Sequence, residues 1–334
     1  MAAYVAPAAL DGAAARRNFT IGLVLGVVGA IAFSGKAIFV KLAYRYHVDT
    51  ETFLALRMLM SAPFFIAAAA WIETRPGRVP LTRGDWLRLL WIGLCGYYLS
   101  SYIDMLGLQY VSVSLERLIL YLSPTVVLLY QVFVQKHRTS GRQVLALAIS
   151  YVGVVVTLLH DFRVGGNNIL LGSALVFLSA VTYSAYLIGG GEALKRLGTM
   201  RVTAWASIFA SVGCIVQFLV MRPLSALDLP GEVWGLSVGM ALLSTVFPIF
   251  FVMMSVGRIG ASLAAQVGLV GPVSTMVLGA IFLSEPIGWE QVVGTVLVMS
   301  GVYFVSRPKA PAAPSSASSS SSSSSSSTPA KEQP

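Results

Sequence analysis

The chain has 334 residues, of which 56% are hydrophobic and only 11% are charged, against about 25% charged in a typical soluble domain. With a mean hydropathy of +0.77, this composition excludes a disordered chain and argues against a soluble one, whose surface needs far more charge. Cys95 and Cys214 sit inside apolar runs, which excludes a disulfide-stapled secreted domain. The formal charge of +9 raises nucleic-acid binding, and the placement of the charges decides that question.

A helix crosses a hydrocarbon core of about 30 Å with about 20 apolar residues. After an N-terminal segment (1–18), ten such runs follow, at 19–43, 52–72, 87–107, 115–134, 143–160, 169–188, 203–221, 233–255, 262–283 and 288–306. The breaks are polar or punctuated by Gly and Pro, as in ETRPGRVPLTRGD (73–85) and RPLSALDLPGE (222–232). Two are weak, LQYVSVS (108–114) and VGRIGA (256–261); if they lie inside bent helices, the count falls to eight or nine. ARRNFT (15–20) resembles a twin-arginine export signal, but with nine further spans behind it an uncleaved first span is the better reading. The last segment, 308–334, is rich in Ser and Pro and is expected to be a disordered tail.

With the N-terminus in the cytoplasm, sixteen of the 23 basic residues fall in cytoplasmic loops and tails. Three (Arg45, Arg163 and Arg222) fall outside, and four lie within or at the edges of spans. Such asymmetry sets topology. It places both termini in the cytoplasm, favours an even number of spans, and accounts for the positive charge without a nucleic-acid partner.

The chain repeats itself at an offset of 148: Ser114-Leu115 maps to Ser262-Leu263, Pro124 to Pro272, Gln143 to Gln291 and Gly153 to Gly301. Each half, 19–160 and 169–306, then holds five spans. An odd number forces the second copy to insert upside down. The expected fold is an all-α integral membrane protein of ten transmembrane helices in two inverted five-helix repeats, an architecture that places a substrate site near the midplane.

At these residues the sequence resembles the EamA-type repeat of the drug/metabolite transporter superfamily. The resemblance rests on SVSLERLILYLSPTVVLL (112–129), GASLAAQVGLVGPVSTMVLGAIFLSEPI (260–287), SGKAIFVKLA (34–43), LALRMLMSA (54–62) and WEQVVGTVLVMSGVYF (289–304). It covers about 19–306. Lys41, Arg57 and Glu285 match the usual Lys, Arg and Glu of the pattern. The sequence departs where Lys136 or His137 replaces the first repeat's Glu, where Lys36 replaces a small polar residue, and where Trp205 stands opposite Arg57. The resemblance implies a ten-helix carrier of small organic molecules, often working outward, in a bacterial-type inner or plasma membrane.

Ionisable groups inside a span are expensive and mark function. The first repeat holds Lys36, Arg57, Asp104, Glu116 and Arg117, whereas the second has none in the interior of its five spans. At 1.5 Å per residue, Lys36 lies about 10 Å from the outer end of its span, the deepest of the set. It is expected to face a cavity, rest on Asp104 or Glu116, and attract a carboxylate-bearing substrate. Tyr102, Tyr183, Trp205 and Gln266 join Lys36, Arg57, Asp104 and Glu116 as candidate substrate-binding residues. Pro124 and Pro272 are candidate gating kinks. Gly22 and Gly26 form a GxxxG, a signal that allows close helix packing and says little about oligomers, so a homo-oligomer is left open.

No cofactor or metal is expected. The stretch ending FSGKA (33–37) lacks the Ser or Thr of a P-loop, and His47, His137 and His160 have no metal-ligand spacing. The reading is therefore a secondary carrier in contact with a small-molecule substrate and the lipid bilayer, and not an enzyme. A channel or a membrane-embedded enzyme is the alternative.

Overall fold

The computed structural model describes residues 13–134, 136, 141–164 and 168–306. The tail 308–334 and most of the N-terminal segment lie outside them. Among the described residues the secondary structure is entirely helical, and eight helices are long and apolar enough to cross a membrane. Hydrocarbon offers no hydrogen bonds to the backbone, so an apolar chain of this kind satisfies its amides within each helix. The protein is an integral membrane protein.

In chain order the elements are α1 (Ala13–Tyr44), α2 (Thr50–Glu73), α3 (Arg83–Gly107), α4 (Val113–Leu120), α5 (Ser123–Phe133), α6 (Gly141–Val164), α7 (Ile169–Leu197), α8 (Thr199–Met221), α9 (Gly231–Ile259), α10 (Ala261–Val267), α11 (Val270–Leu283) and α12 (Trp289–Ser306). Their starts follow local chemistry. Asp49 caps α2 by accepting from the Thr52 amide at 2.9 Å. Thr82 and Asp85 form a reciprocal capping box at α3. Ser112 caps α4 by accepting from the Leu115 amide at 3.1 Å.

Among the described residues three helices are widened by π-turns, α3 at Ile92–Leu99, α9 at Leu242–Val246 and α11 at Gly279–Leu283. Two helical rods are broken, between α4 and α5 and between α10 and α11, each just before a proline. A proline has no amide hydrogen and so frees the carbonyl four residues earlier. Both freed carbonyls find a hydroxyl: Ser123 donates to Leu120 O at 2.5 Å, and Tyr121 donates to Gly268 O at 2.8 Å. The second bond crosses the molecule and ties one break to the other.

α1 packs along α9 and α11, α2 along α8, α3 against α7, α4 and α5 against α7, and α6 along α12. Small residues permit this closeness. A Cβ on Gly153 would stand 2.7 Å from Gly294 O, and one on Gly107 2.9 Å from Gly172 O. Gly22 and Gly26 face Ile259 and Ser255 of α9. The outward positions are apolar, as with Val212, Val216, Leu219 and Val220 on α8, as a lipid-facing surface requires.

Candidate functional site

α1 to α4 bring four charged side chains into one buried cluster. Lys36 of α1 donates to Asp104 Oδ2 of α3 at 2.5 Å. Of the two carboxylates open to Lys36 from sequence, Asp104 is the one paired. Glu116 lies in the first turn of α4, where the helix N-terminus favours a carboxylate. Its side chain is within hydrogen-bonding reach of Asp104 and within electrostatic reach of Lys36. Arg57 of α2 is also coupled to Asp104 electrostatically. Asp104 and Glu116 are each 1% exposed and Arg57 4%, so water satisfies none of them.

The cluster is under-satisfied. Asp104 Oδ1, Glu116 Oε2 and Arg57 Nε are all buried without a hydrogen-bond partner. The Arg57 guanidinium reaches only Ser101 Oγ at 3.4 Å and Met58 Sδ at 3.9 Å. Among the described residues no carboxylate lies at ion-pair distance from it. Buried polar atoms in native proteins are almost always paired, and an unpaired buried cation is costly. The group leaves two acceptors and one donor without partners.

A cavity of about 330 Å³ is lined in part by chain neighbours of the cluster and not by its four charged residues, and its size is within the roughly 300–1,000 Å³ range of small-molecule sites. Its wall comes from α1 (Gly26, Ala30, Phe33, Ser34), from Arg117 and Tyr121 beside the α4–α5 break, from Ser255 of α9, and from Gly268 and Gly271 beside the α10–α11 break. Phe33 stands one turn from Lys36 along α1, and Arg117 stands next to Glu116. Arg117 donates to Phe33 O and to Thr275 Oγ1, both at 3.0 Å. Ser34 donates to Gly271 O at 3.0 Å, while the Ser255 hydroxyl has no partner. The wall is mostly apolar with a few convergent polar groups, as small-molecule sites are.

The first turn of α4 is gripped by two carboxylates. Asp161 of α6 accepts from the Ser112 amide and hydroxyl, both at 2.8 Å. Glu285 accepts from the Val113 amide at 3.3 Å. Burial pushes the Glu285 carboxyl above its usual range, against the opposing pull of Lys41. Sequence reading missed both as partners of α4. Ser112, an N-cap residue four places before Glu116, was the available signal.

The remaining candidates lie elsewhere. Tyr102 donates to Glu51 Oε1 at 2.7 Å, and Glu51 in turn pairs with Arg222 at 3.1 Å. Trp205 donates to Glu73 Oε1 at 3.2 Å and meets Trp86 edge to face at 4.7 Å. Glu73 also binds Arg201 through two bonds of 2.7 Å, so Trp205 belongs to a group at the far ends of α2 and α3. Tyr183 of α7 packs on Tyr186 and is 39% exposed. Gln266 of α10 is exposed and outside the cavity wall. Pro124 follows the first helix break and Pro272 the second.

Comparison with known proteins gives the family and the fold. The uncharacterized transporter YcbK of Bacillus subtilis is 27% identical over 305 residues, covering 86% of this chain and 92% of its own. An uncharacterized transporter of Archaeoglobus fulgidus is 28% identical over 220 residues, 65% of this chain and 76% of its own. A protein crystal structure shares the fold with a TM-score of 0.59 at 17% identity, covering 85% of this chain and 96% of that one. Residues 20–159 and 170–307 each match the EamA-like transporter family. The chain belongs to the EamA-like transporter family, and is a membrane transporter of small molecules.

Proposed function

We propose that the protein is a secondary carrier that moves small carboxylate-bearing metabolites by alternating access, with the Lys36 cluster as its substrate site. The observation that carries this reading is the buried, under-satisfied group of Lys36, Arg57, Asp104 and Glu116 beside the cavity. Two cations that hold only one close carboxylate contact between them suit an anionic guest. Tyr102, Tyr183, Trp205 and Gln266 would line other parts of the translocation path, or hold the helices that form it.

The reading takes α4 with α5 as one span and α10 with α11 as another. Together with α12 this makes ten spans in two inverted sets of five. The packing supports it, because contacts recur with the halves exchanged: α1 on α9 answers to α7 on α3, and α1 on α11 to α7 on α4 and α5. The π-turns of α3 and α9 and the two breaks also recur near the offset of 148. Pro124 and Pro272 then sit at equivalent hinges of a symmetric gate. The loop charges orient both termini to the cytoplasm of a bacterial-type inner membrane, and the direction of transport is outward.

Counterflow distinguishes a carrier from the alternatives. Proteoliposomes preloaded with unlabelled lactate, pyruvate and benzoate would be diluted into each labelled acid in turn. Saturable uptake accelerated by the internal acid is expected for at least one of them. Flux without saturation or acceleration would indicate a channel, and no flux of any acid would overturn the carboxylate reading.

A further inference from the structure

Two buried carboxyls face each other with nothing between them to donate. Glu116 and Asp104 lie within hydrogen-bonding reach of one another, and each has one buried oxygen, Oε2 and Oδ1, with no donor. An ionised carboxylate only accepts hydrogen bonds. Two of them side by side in a site that excludes water repel, and one proton held between them removes both the repulsion and the missing bond.

The surrounding charges fix what that proton does. From α1 the cluster sees Lys36, paired to Asp104, and more distantly Lys41, which also faces Glu285 and Asp161. The Tyr44 hydroxyl of α1 is occupied by Met105 O. From α2 comes Arg57, with the Cys214 thiol of α8 behind it. Arg117 of α4 is tied to Phe33 O and Thr275. α11 brings no titratable side chain between Val270 and Leu283, and the Asp161 and His160 side chains of α6 are engaged by Ser112 and Glu290. The partners of Arg117 are neutral, so Arg117 keeps its charge, and the inner balance is Lys36, Arg57 and Arg117 against Asp104 and Glu116. With both carboxyls ionised it is +1. With one shared proton it is +2, and Arg57 is the cation with no carboxylate at ion-pair distance among the described residues.

We infer that Asp104 and Glu116 share one proton, and that this proton makes the cluster an acceptor for a monoanion at Arg57, so that the protein carries a monoanionic substrate together with a proton. The inference rests on the Lys36 cluster being the substrate site. The step balances: one proton and one monoanion enter together, the net charge of the cluster is unchanged, and both leave on the other side. Loss of the proton alone lowers the charge of the cluster by one and weakens its hold on the anion. By linkage, the anion must in turn tighten the hold on the proton.

Two measurements on the full chain in detergent test this separately. Infrared spectra at pH 7 should show a protonated carboxylic-acid carbonyl band that shifts in D₂O and is lost in Glu116→Gln. Calorimetric binding of methanesulfonate and of lactate, both ionised throughout, should weaken about tenfold per pH unit above the midpoint, the slope for uptake of one proton. In Glu116→Gln the pH profile should flatten. Absence of the band in the wild type, or its persistence in Glu116→Gln, would overturn the shared proton. Anion binding that ignores pH in the wild type would overturn the coupling while leaving the substrate site standing. Binding of neither anion at any pH, with the band present, would overturn the substrate site itself. The wild-type measurements decide even if the variant fails to fold.

Discussion

A lysine within an apolar membrane helix is tolerated only with a partner, and Lys36 has Asp104 at 2.5 Å. Removing one member of such a buried pair leaves the other uncompensated, at a cost of about 3–5 kcal/mol. Asp104→Ala is therefore expected to lower the thermal midpoint in detergent markedly, and the double variant Lys36→Met/Asp104→Leu to recover much of the loss. Unfolding of the single variant at the wild-type temperature would mean that the pair carries no such energy. Glu285 gives a pH prediction. Burial raises its carboxyl in the fold, so its contribution is most favourable at low pH and is lost as pH rises through the raised value. Glu285→Gln should accordingly gain stability over wild type at pH 8 and lose that advantage at pH 5. The opposite trend would show that Lys41 and the Val113 amide dominate over burial.

At the scale of elements, the two broken rods are the features best suited to movement. At each break the freed carbonyl accepts from a side-chain hydroxyl, Ser123 on Leu120 and Tyr121 on Gly268, and Gly268 O accepts from the Gly271 amide as well. Pro272 follows the turn it helps to make, so Pro272→Ala is expected to change stability by about 1 kcal/mol or less while lowering the transport rate severalfold, because Ala allows the turn to close into continuous helix. A variant that transports at the wild-type rate would make the break a static bend. The repeat of prolines at one offset made these positions visible in the sequence. The donating hydroxyl of Tyr121 was not visible as such, since a tyrosine in an apolar span reads equally as an interface residue. The membrane class and the central charges were likewise legible, because charge is scarce and expensive in lipid. Lys36, Arg57, Asp104 and Glu116 stand out for that reason, and the fold gathers them. Trp205 and Gln266 were weaker ground. Periodicity cannot tell which way a side chain in a uniformly apolar helix points, and Trp205 meets Glu73 at the opposite end of the bundle from the outer tips of α2 and α3.

At the scale of the molecule, the packing exchanges its halves while the charge does not. Both halves supply matched breaks and π-turns, but the buried cluster comes from the first half alone. A symmetric frame around an asymmetric site suits a carrier, in which the frame rocks and the site holds one guest. The most direct test compares the organic anions released by cells expressing the wild type, Lys36→Ala, or no copy of the protein, with membrane levels of the two forms matched. The wild type should raise the release of at least one small carboxylate, and Lys36→Ala should return it to the level of cells without the protein. An anion profile from Lys36→Ala equal to that of the wild type would contradict the assignment of the buried cluster as the substrate site.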